Sequence, residues 1–563
     1  MILVKPAQPS EASWLDHRIH LAITLPFLAL LTPIMVYLTN RGYPLMSPEI
    51  LLILAGMFCV STVIGLIRRA GGRRMYAMCV SGLLTVAADH LHLVEWVSQG
   101  RAVTLLAIFV VLMALVRRFE KTATLAATAF LCVFVILTVV RNGFETESDP
   151  TLVAQHHRDT VTDGPPRLIH LILDEHQGIE GIPLDTDYAR KLKHKIKEFY
   201  QRYGFKLYGG AYSHYFETVD SIPNLVNFSA ERISRILVTG DPPPYHLPQN
   251  RYFQFLKRMG YRIHVLDGDF LDFCSSPDAQ PQSCTKYRWA TLSNVAKLDD
   301  PVLTKTATVL AVFMASYPRY QSILDLYEQR VRPFLLSRGV AAPVINHDSL
   351  WTRRRLQPFS VNTMAAMGTL SASIQQLIPG DMLFAHLLLP HFPYVYREDC
   401  SQRAIPESMD NMEKVSLELR TTEGRRVRFD QYLRQVECLY VRLDELFQRM
   451  HSSGIFGDSI VIVHGDHGAR LGLRHPISKE QDQLTAADYK DGLSTLFAAK
   501  IPGRPGDYDP SLHAIDELLV QTLGSAVGKA PSLVVPRQEP FAYLYAGGRK
   551  EQQIVKMPWR PSN

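Results

Sequence analysis

The chain lacks a strong excess of charge of either sign. Its 563 residues carry 60 lysines and arginines against 54 aspartates and glutamates, which gives a formal net charge of +6. A charge this small gives no argument for nucleic-acid binding. The sequence also lacks internal repeats and low-complexity tracts, and its length exceeds that of one typical domain.

Cysteine is sparse, with seven residues in the whole chain. Three of them, Cys59, Cys79 and Cys132, fall inside apolar segments. We expect these three to be unpaired and to pack as small apolar side chains. The other four allow three pairings. The shortest loop favours Cys274–Cys284, which leaves Cys400–Cys438, and the alternative is four unpaired thiols. Pairing would require an oxidising compartment such as a periplasm.

Long apolar runs are concentrated before residue 141. We predict about five segments that can cross a bilayer, near Ile19–Leu38, Glu49–Ile67, Met75–Val94, Ala102–Val116 and Thr122–Val140. No cleavable signal peptide is expected, because the first span is too long and too internal.

Basic residues are distributed unevenly among the predicted loops. The loops after the second and fourth spans carry Arg68, Arg69, Arg73, Arg74, Arg117, Arg118 and Lys121. The other two loops hold only Arg41 and Arg101. The positive-inside rule therefore places the two basic loops and the N-terminus in the cytoplasm, and everything after Arg141 outside. We predict a transmembrane domain over 1–141, a linker over 142–166, an extracytoplasmic catalytic domain over 167–546 and a tail over 547–563.

Three polar residues interrupt the third predicted span: Asp89, His90 and His92. Polar groups in a bilayer are costly and are often functional. Because they fall near the outer leaflet, they either meet the headgroup region or face a bound lipid headgroup or the catalytic domain.

After Arg167, strand-like and helix-like segments alternate. This alternation predicts an α/β domain with a mostly parallel central sheet that is covered on both faces. Two of its apolar strands end in acids: Leu168–Leu173 precedes Asp174 and Glu175, and the strand from Ser459 precedes Asp466-His467. The carboxyl edge of such a sheet is where ligands bind. Carboxylate and imidazole ligands suit zinc or manganese, although a turn that only caps the next helix would have the same residues.

A nucleophile candidate lies in the segment ETVDSIP, where Thr218 precedes Ser221 and Pro223. A threonine hydroxyl is a poor nucleophile at neutral pH, and a divalent metal can activate it. The alternative is a threonine that caps a helix start.

These motifs resemble those of the alkaline phosphatase superfamily. More narrowly, they resemble the bacterial membrane-anchored sulfatase-like transferases, namely lipid A phosphoethanolamine transferases and lipoteichoic acid synthases. The resemblance implies five spans before an external alkaline phosphatase/sulfatase-like α/β domain. It implies Thr218 as catalytic nucleophile and Asp174, Thr218, Asp466 and His467 as metal ligands, and it matches His391 in LLLPHFPY and His475 to phosphate-binding histidines.

Some residues depart from the family pattern. Asp174 stands where the transferases usually have Glu, and Glu175 follows it as in soluble sulfatases, whose paired acids bind calcium. Glu175 is either a further ligand or a charge at the strand end. Arg470 and Arg474 follow the DHG motif and either bind an anionic substrate or are solvated. The sulfatase motif C/S-x-P-x-R is absent around Thr218, which argues against a true sulfatase. The insert Cys274–Arg355 matches no known segment, and we expect it to shape the acceptor site.

Three functions follow as hypotheses. The first is metal-dependent transfer of a phosphoethanolamine or phosphoglycerol headgroup from a membrane phospholipid, through a phospho-threonine intermediate, to an envelope glycan or glycolipid. The second is a membrane-anchored phosphodiesterase or sulfatase-type hydrolase. The third is a catalytically silent protein for glycan binding or export. The expected location is the bacterial inner membrane, in association with a polysaccharide synthesis system and without nucleic acid as a partner.

Overall fold

The computed structural model describes residues 11–70, 72–91, 93, 101–143, 164–231, 245–276, 279–287, 292–317, 324, 326–342, 350–403, 421–474, 483–532, 539–545 and 552–556. The chain divides into two compact units. One contains Met1–Ser148 and Thr291–Ile345, and the other contains Asp149–Ala290 and Asn346–Asn563. The predicted catalytic domain includes 291–345, whereas the structure groups that segment with the N-terminal helices.

The helices of the described residues are α1 Glu11–Asn40, α2 Pro48–Arg69, α3 Arg73–His90, α4 Arg101–Arg118, α5 Glu120–Gly143, α6 Asp187–Arg202, α7 Thr218–Val226, α8 Arg251–Arg258, α9 Val302–Ala315, α10 Arg332–Ser337, α11 Leu350–Ile374, α12 Thr422–Ser452, α13 Ala486–Leu493 and α14 Ile515–Val527. The strands are β1 Leu168–Leu173, β2 Lys206–Tyr212, β3 Tyr245–His246, β4 Arg262–Gly268, β5 Leu271–Asp272, β6 Ser283–Tyr287, β7 Asp381–Leu387, β8 Ile460–Gly465, β9 Phe497–Lys500, β10 Asp507–Ala514, β11 Phe541–Tyr545 and β12 Gln552–Lys556. Short 3₁₀ turns cover Ile179–Gly181 and Val295–Lys297, and a π-helical turn at Tyr327–Val331 leads into α10.

The first unit begins with helices α1 to α5, which lie at the positions of the predicted spans. Only two of the described helical segments, Ala22–Asn40 and Pro48–Arg69, are long and apolar enough to cross a membrane. By the criterion of helix length and apolar composition, the prediction of five membrane spans is therefore wrong. Helix α3 has arginines at its start and Asp89-His90 at its end, and the apolar stretch among the described side chains of α5, Leu125–Leu137, is shorter than a membrane span. Residues 291–345 join this unit because α9 packs on α1 and α2.

The second unit is built on an eight-stranded sheet with the order β10-β2-β9-β8-β1-β7-β4-β6. Strand β9 is antiparallel to both of its neighbours, and the other adjacent pairs are parallel. The mostly parallel α/β sheet is therefore confirmed. Two further pairs stand apart from it, β3 with β5 and β11 with β12.

The central strand β1 is buried on both faces, as expected for a parallel sheet covered by helices. Ile169, Leu171 and Leu173 belong to one apolar core, which includes residues of α6, α11 and α12. Leu168 and Ile172 belong to the other, which includes residues of α7, α8 and α14. This alternation follows from the two-residue period of a strand. Because β1 is parallel to its neighbours β7 and β8, the carboxyl ends of these three strands lie at one edge of the sheet.

Two other expectations concern cross-links and the C-terminal residues. The structure contains both predicted disulfides, Cys274–Cys284 and Cys400–Cys438. Cys59, Cys79 and Cys132 are free, as predicted. The predicted loose tail over 547–563 requires a correction, because β12 at Gln552–Lys556 pairs antiparallel with β11 and is held by that backbone ladder.

Candidate active site

The register of the sheet brings the two predicted acidic strand ends together. Strand β1 lies between β7 and β8, and Leu173 is opposite Gly465 on one side and Leu387 on the other. Asp174 and Asp466 are the next residues of β1 and β8, so they leave neighbouring parallel strands at the same level. Both side chains are buried. The sequence pattern thus identified two neighbours that are 292 positions apart in the chain.

Asp174, Asp466 and His467 form the one cluster of potential metal ligands found among the described residues. One ligand atom from each lies within 4.8 Å of the others. Oδ1 of Asp466 accepts hydrogen bonds from the backbone N–H groups of Glu175 and His467, both at 3.0 Å. Within the described part of the chain, Oδ2 of Asp466 and Oδ1 of Asp174 have no hydrogen-bond partner. Buried carboxylate oxygens of this kind are costly unless a cation binds them.

The contacts of His467 fix which ring nitrogen carries the proton. Nδ1 lies 2.9 Å from the carbonyl oxygen of Gly468 and donates to it. The lone pair of Nε2 is therefore free to bind a metal, and Nε2 lies 3.3 Å from Oδ2 of Asp466. Metal-binding histidines usually have this arrangement, with the second nitrogen held by a backbone carbonyl.

Thr218 is the first residue of α7, and its hydroxyl reaches the same cluster. Oγ1 lies 3.2 Å from Nε2 of His467. The helix is attached to the metal-ligand loop by Ser221, whose hydroxyl donates to the backbone carbonyl of Asp466 at 2.6 Å. The hydroxyl of Thr218 thus contacts the histidine of the ligand set, which places a nucleophile candidate at the edge of that set.

The two aspartates differ in their electrostatic environment. Burial by itself would raise the pKa of Asp174, but His391 and His386 nearby outweigh it and lower that pKa below the usual range. Burial and the charge of Asp174 raise the pKa of Asp466. Two carboxylates this close repel each other when both are ionised, and a divalent cation would remove that cost. Two carboxylates, one imidazole and the Thr218 hydroxyl fit Zn²⁺ or Mn²⁺ in number and in chemistry.

Glu175 is not part of this ligand cluster, and its carboxylate binds Arg470. The guanidinium of Arg470 binds Oε1 of Glu175 through Nε at 3.0 Å and also through its terminal NH2. Both residues have positive φ, 61° for Glu175 and 58° for Arg470, and both are buried. Glu175 is therefore engaged in an ion pair, and Arg470 is a buried partner of that acid. Arg470 is therefore not the solvated arginine, and Glu175 not the unpaired strand-end charge, that the sequence left open as alternatives. Arg474 is half-buried.

His391 lies beside this ion pair at the end of the β7 segment. Its Nδ1 donates to the carbonyl of Phe392 at 2.7 Å, and its Nε2 lies 3.7 Å from Oε1 of Glu175. The ring is partly exposed, so it is available to a ligand at the sheet edge. The predicted role of His475 stays a prediction, because that residue lies outside the described part of the chain.

The sequence prediction missed two residues, His386 on β7 and Asp267 on β4. Nε2 of His386 lies 3.3 Å from Oδ2 of Asp174, and Nδ1 lies 3.6 Å from Oδ1 of Asp267. All three side chains are buried. The sequence feature that could have identified His386 is its position as an ionisable side chain in the apolar strand DMLFAHL, one residue before the strand ends. An orienting contact on a metal-binding carboxylate is a common feature of metal sites.

No protein-family model matches the chain, and no curated protein matches it. Among solved structures, it is similar to the C-terminal periplasmic domain of EcEptC from Escherichia coli in complex with Zn, with 10% identity and a TM-score of 0.39, covering 71% of this chain and 94% of that chain. It is similar to the lipoteichoic acid synthase LtaP from Listeria monocytogenes, with 12% identity, a TM-score of 0.37, and 71% and 86% coverage.

A third similar structure is a protein in the alkaline phosphatase superfamily from Vibrio parahaemolyticus, with 12% identity, a TM-score of 0.35, and 70% and 76% coverage. Members of the superfamily that the motifs resemble are thus among the structures similar to this chain. At TM-scores below 0.4, these similarities support no assignment of activity. The functional proposal therefore depends on the residues of the site.

Proposed function

We propose that the protein is a membrane-anchored, metal-dependent transferase. Its donor would be the phosphoethanolamine or phosphoglycerol headgroup of a phospholipid, and its acceptor a hydroxyl of an envelope glycan or glycolipid. The observation that carries the proposal is the position of the Thr218 hydroxyl, 3.2 Å from Nε2 of His467, which itself clusters with two buried aspartates. An intact set of nucleophile and ligands argues against a catalytically silent protein.

Asp174, Asp466, His467 and Thr218 would hold the metal. When bound, a divalent cation lowers the pKa of a hydroxyl and neutralises charge on phosphate oxygens. The residues of the chain then have separable roles. Ser221 holds α7 against the ligand loop, and the backbone contact of His467 keeps its proton on Nδ1.

In the first step, Oγ1 of Thr218 would attack the phosphorus of the headgroup. Oγ1 gives up its proton as it attacks, the bond between phosphorus and the diacylglycerol oxygen breaks, and that oxygen leaves with a proton, so no net proton is consumed. His391 is the proposed proton donor or phosphate ligand, because its ring is partly exposed, its Nδ1 is held by Phe392 and the Glu175 carboxylate near its Nε2 would stabilise a protonated ring. In the second step, an acceptor hydroxyl loses its proton and attacks phosphorus, the bond to the threonine oxygen breaks, that oxygen takes up a proton, and the headgroup moves to the acceptor.

A hydrolase is the second candidate, in which water replaces the acceptor hydroxyl in the second step. The site chemistry is the same, since the ligands and the nucleophile do not distinguish water from a sugar hydroxyl. The two apolar helices Ala22–Asn40 and Pro48–Arg69 favour transfer from a lipid, because a membrane anchor on the same chain would keep the enzyme at its donor. Within this proposal, the protein resides in the bacterial inner membrane with its catalytic unit outside the cytoplasm.

Mass spectrometry of the peptide that contains Thr218 would test the proposal. The purified protein is incubated with phosphatidylethanolamine or phosphatidylglycerol in detergent, without an acceptor. We expect a phosphoethanolamine or phosphoglycerol adduct on Thr218, which identifies the donor. Thr218→Ser should retain the adduct and Thr218→Ala should lose it while it keeps its metal. An unmodified Thr218 together with release of free phosphorylated headgroup would favour the hydrolase.

A further inference from the structure

The segment 291–345 is inserted in the sequence of the catalytic unit but folds with the N-terminal helices. Leu292, Val295, Val309 and Val312 share one buried apolar cluster with residues of the first two helices and of the loop between them: Ile34, Leu38, Tyr43, Ile50 and Ile53. The ring of His90 at the end of α3 contacts the same segment, with ring centroids 4.7 Å from Phe313 and 6.0 Å from Tyr317. The segment is thus an integral part of the N-terminal unit.

The contacts place α9 at one end of the candidate spans. Its buried face meets Ile50 and Ile53, at the start of α2, and Ile34 and Leu38, near the end of α1. The basic pair Arg68 and Arg69 terminates α2 at its opposite end. By the positive-inside rule that opposite end is cytoplasmic, so α9 lies at the outer end.

The other face of α9 is apolar and exposed. Leu303 is 72% exposed, and Val302 and Met314 are also exposed. Next to the buried Ile50 on α2, Leu51 and Leu52 are exposed as well. The apolar surface of a candidate membrane span therefore continues onto α9 at the same end of the unit.

Three polar side chains of α9 donate hydrogen bonds to backbone carbonyls of the same segment. The hydroxyls of Thr306 and Thr308 donate to the carbonyls of Val302 and Thr304, at 2.8 and 3.0 Å. The single charged residue of the helix, Lys305, donates to the carbonyl of Ala296 at 3.0 Å. A helix in an apolar medium must bind its polar groups internally in this way.

The chain that follows α9 combines exposed apolar and basic side chains. The exposed apolar residues are Leu326, Val331, Phe334, Leu336 and Val340. Arg330 and Arg338 are exposed among them, and the guanidinium of Arg338 lies 5.3 Å from the ring centre of Phe334. Large apolar side chains beside arginines are typical of segments that lie in the interface of a membrane with anionic lipids.

We propose that 291–345 is a membrane-embedded element that enters the outer leaflet of a phospholipid bilayer beside α2. With 14 residues, α9 is about 21 Å long, so it cannot cross a hydrocarbon core of about 30 Å. It lies within one leaflet, and Leu326–Val340 lies at the headgroup level. The inference rests on the proposed membrane anchorage, and it adds a second attachment that the chain makes after the catalytic unit has begun.

Spin labelling of the full chain in lipid nanodiscs that contain phosphatidylethanolamine and phosphatidylglycerol would test this proposal. Cys59, Cys79 and Cys132 are first replaced by alanine, and single cysteines are then introduced. Leu303→Cys and Phe334→Cys report on the segment. Phe58→Cys on α2, 56% exposed, reports on the anchor, and Leu184→Cys, an exposed leucine of the other unit, is the matched control.

The readout is the ratio of collision rates of the nitroxide with oxygen, which concentrates in lipid, and with a water-soluble nickel chelate. We expect labels at 303 and 334 to show a ratio at least several-fold higher than the label at 184, with 303 close to 58. Ratios at 303 and 334 equal to that at 184 would overturn the proposal. If the label at 58 is also in water, the anchor itself fails, and neither result concerns the proposed chemistry at Thr218.

Discussion

His386 and Asp174 face each other at the carboxyl edge of the sheet, with Nε2 of the histidine 3.3 Å from Oδ2 of the aspartate. The other ring nitrogen faces Asp267 at 3.6 Å. Burial favours the neutral ring, yet the two carboxylates beside it outweigh burial and raise the pKa of His386 to about 10. The histidine therefore orients and neutralises the carboxylate that would bind the metal.

Replacing His386 should weaken metal binding without removing a ligand. We expect His386→Asn to lower the affinity for Zn²⁺ by roughly 10- to 100-fold, as is common for partners of metal ligands. Titration against a chromophoric chelator measures this. The matched control is His264→Asn, because His264 on β4 bonds Ser283 at 2.7 Å and is not part of the ligand cluster. Equal affinities for the two variants would contradict the orienting role.

Removing His467 should release the metal almost completely. We expect His467→Ala to lower the affinity for Zn²⁺ by more than about 100-fold, which exceeds the effect expected for a residue such as His386 that contacts a metal ligand without being one. Metal content by mass spectrometry after dialysis gives the measurement. His176→Ala is a close control, because His176 is also buried and its Nδ1 also bonds the next carbonyl at 2.9 Å, yet it is not in the cluster. Retention of metal by the His467 variant would remove it from the ligand set.

Some of this site could be predicted from the sequence, and the reasons are physical. Apolar runs in the sequence predicted the strands β1 and β8. The acids that follow them, Asp174 and Asp466, could therefore be placed at one edge of a parallel sheet. The role of His386 depends on the register between β7 and β1, which pairs Ile172 with His386, and no local pattern encodes it. Strand β10, with the sequence DYDPSLHA, is partly exposed and carries too few apolar residues to show a strand pattern.

The domain assignment of 291–345 depends on contacts that the sequence does not encode locally. An apolar helix such as α9 could pack on a catalytic sheet or on N-terminal helices with the same composition. In the structure, α9 packs on the N-terminal helices, where it shares an apolar cluster with Ile50 and Ile53 of α2. The ion pair between Arg470 and Glu175 likewise could not be predicted from a local pattern, because the two residues are 295 positions apart in the chain.

Breaking the ion pair between Arg470 and Glu175 should destabilise the catalytic unit. We expect Arg470→Met to cost about 3–5 kcal/mol, because it removes the guanidinium that binds the buried carboxylate. The double variant Arg470→Met/Glu175→Gln should recover part of the loss, since the uncompensated charge is then removed. Thermal unfolding followed by near-UV circular dichroism measures both variants. Additive effects of the two substitutions would mean that the pair does not couple.

The pH dependence of stability should reveal the buried pair of His214 and Asp516, in which Nε2 lies 3.3 Å from Oδ1. Burial lowers the pKa of His214, but Asp516 and the hydrogen bond to the Phe541 carbonyl outweigh it, so the pKa is raised above 6.5. A raised histidine pKa means that the folded state binds more protons than the unfolded state. Its contribution is complete below about pH 6.5 and is lost as the pH rises through the folded pKa.

We therefore compare the wild-type chain with Asp516→Asn between pH 6 and pH 9. The free-energy advantage of the wild type should be largest near pH 6 and should shrink as the pH rises, because only the wild type holds a protonated His214. Denaturation midpoints at each pH give the measurement, and the titration of groups outside the pair cancels in the difference. An advantage that stays constant or grows with pH would show that His214 is neutral in the folded protein.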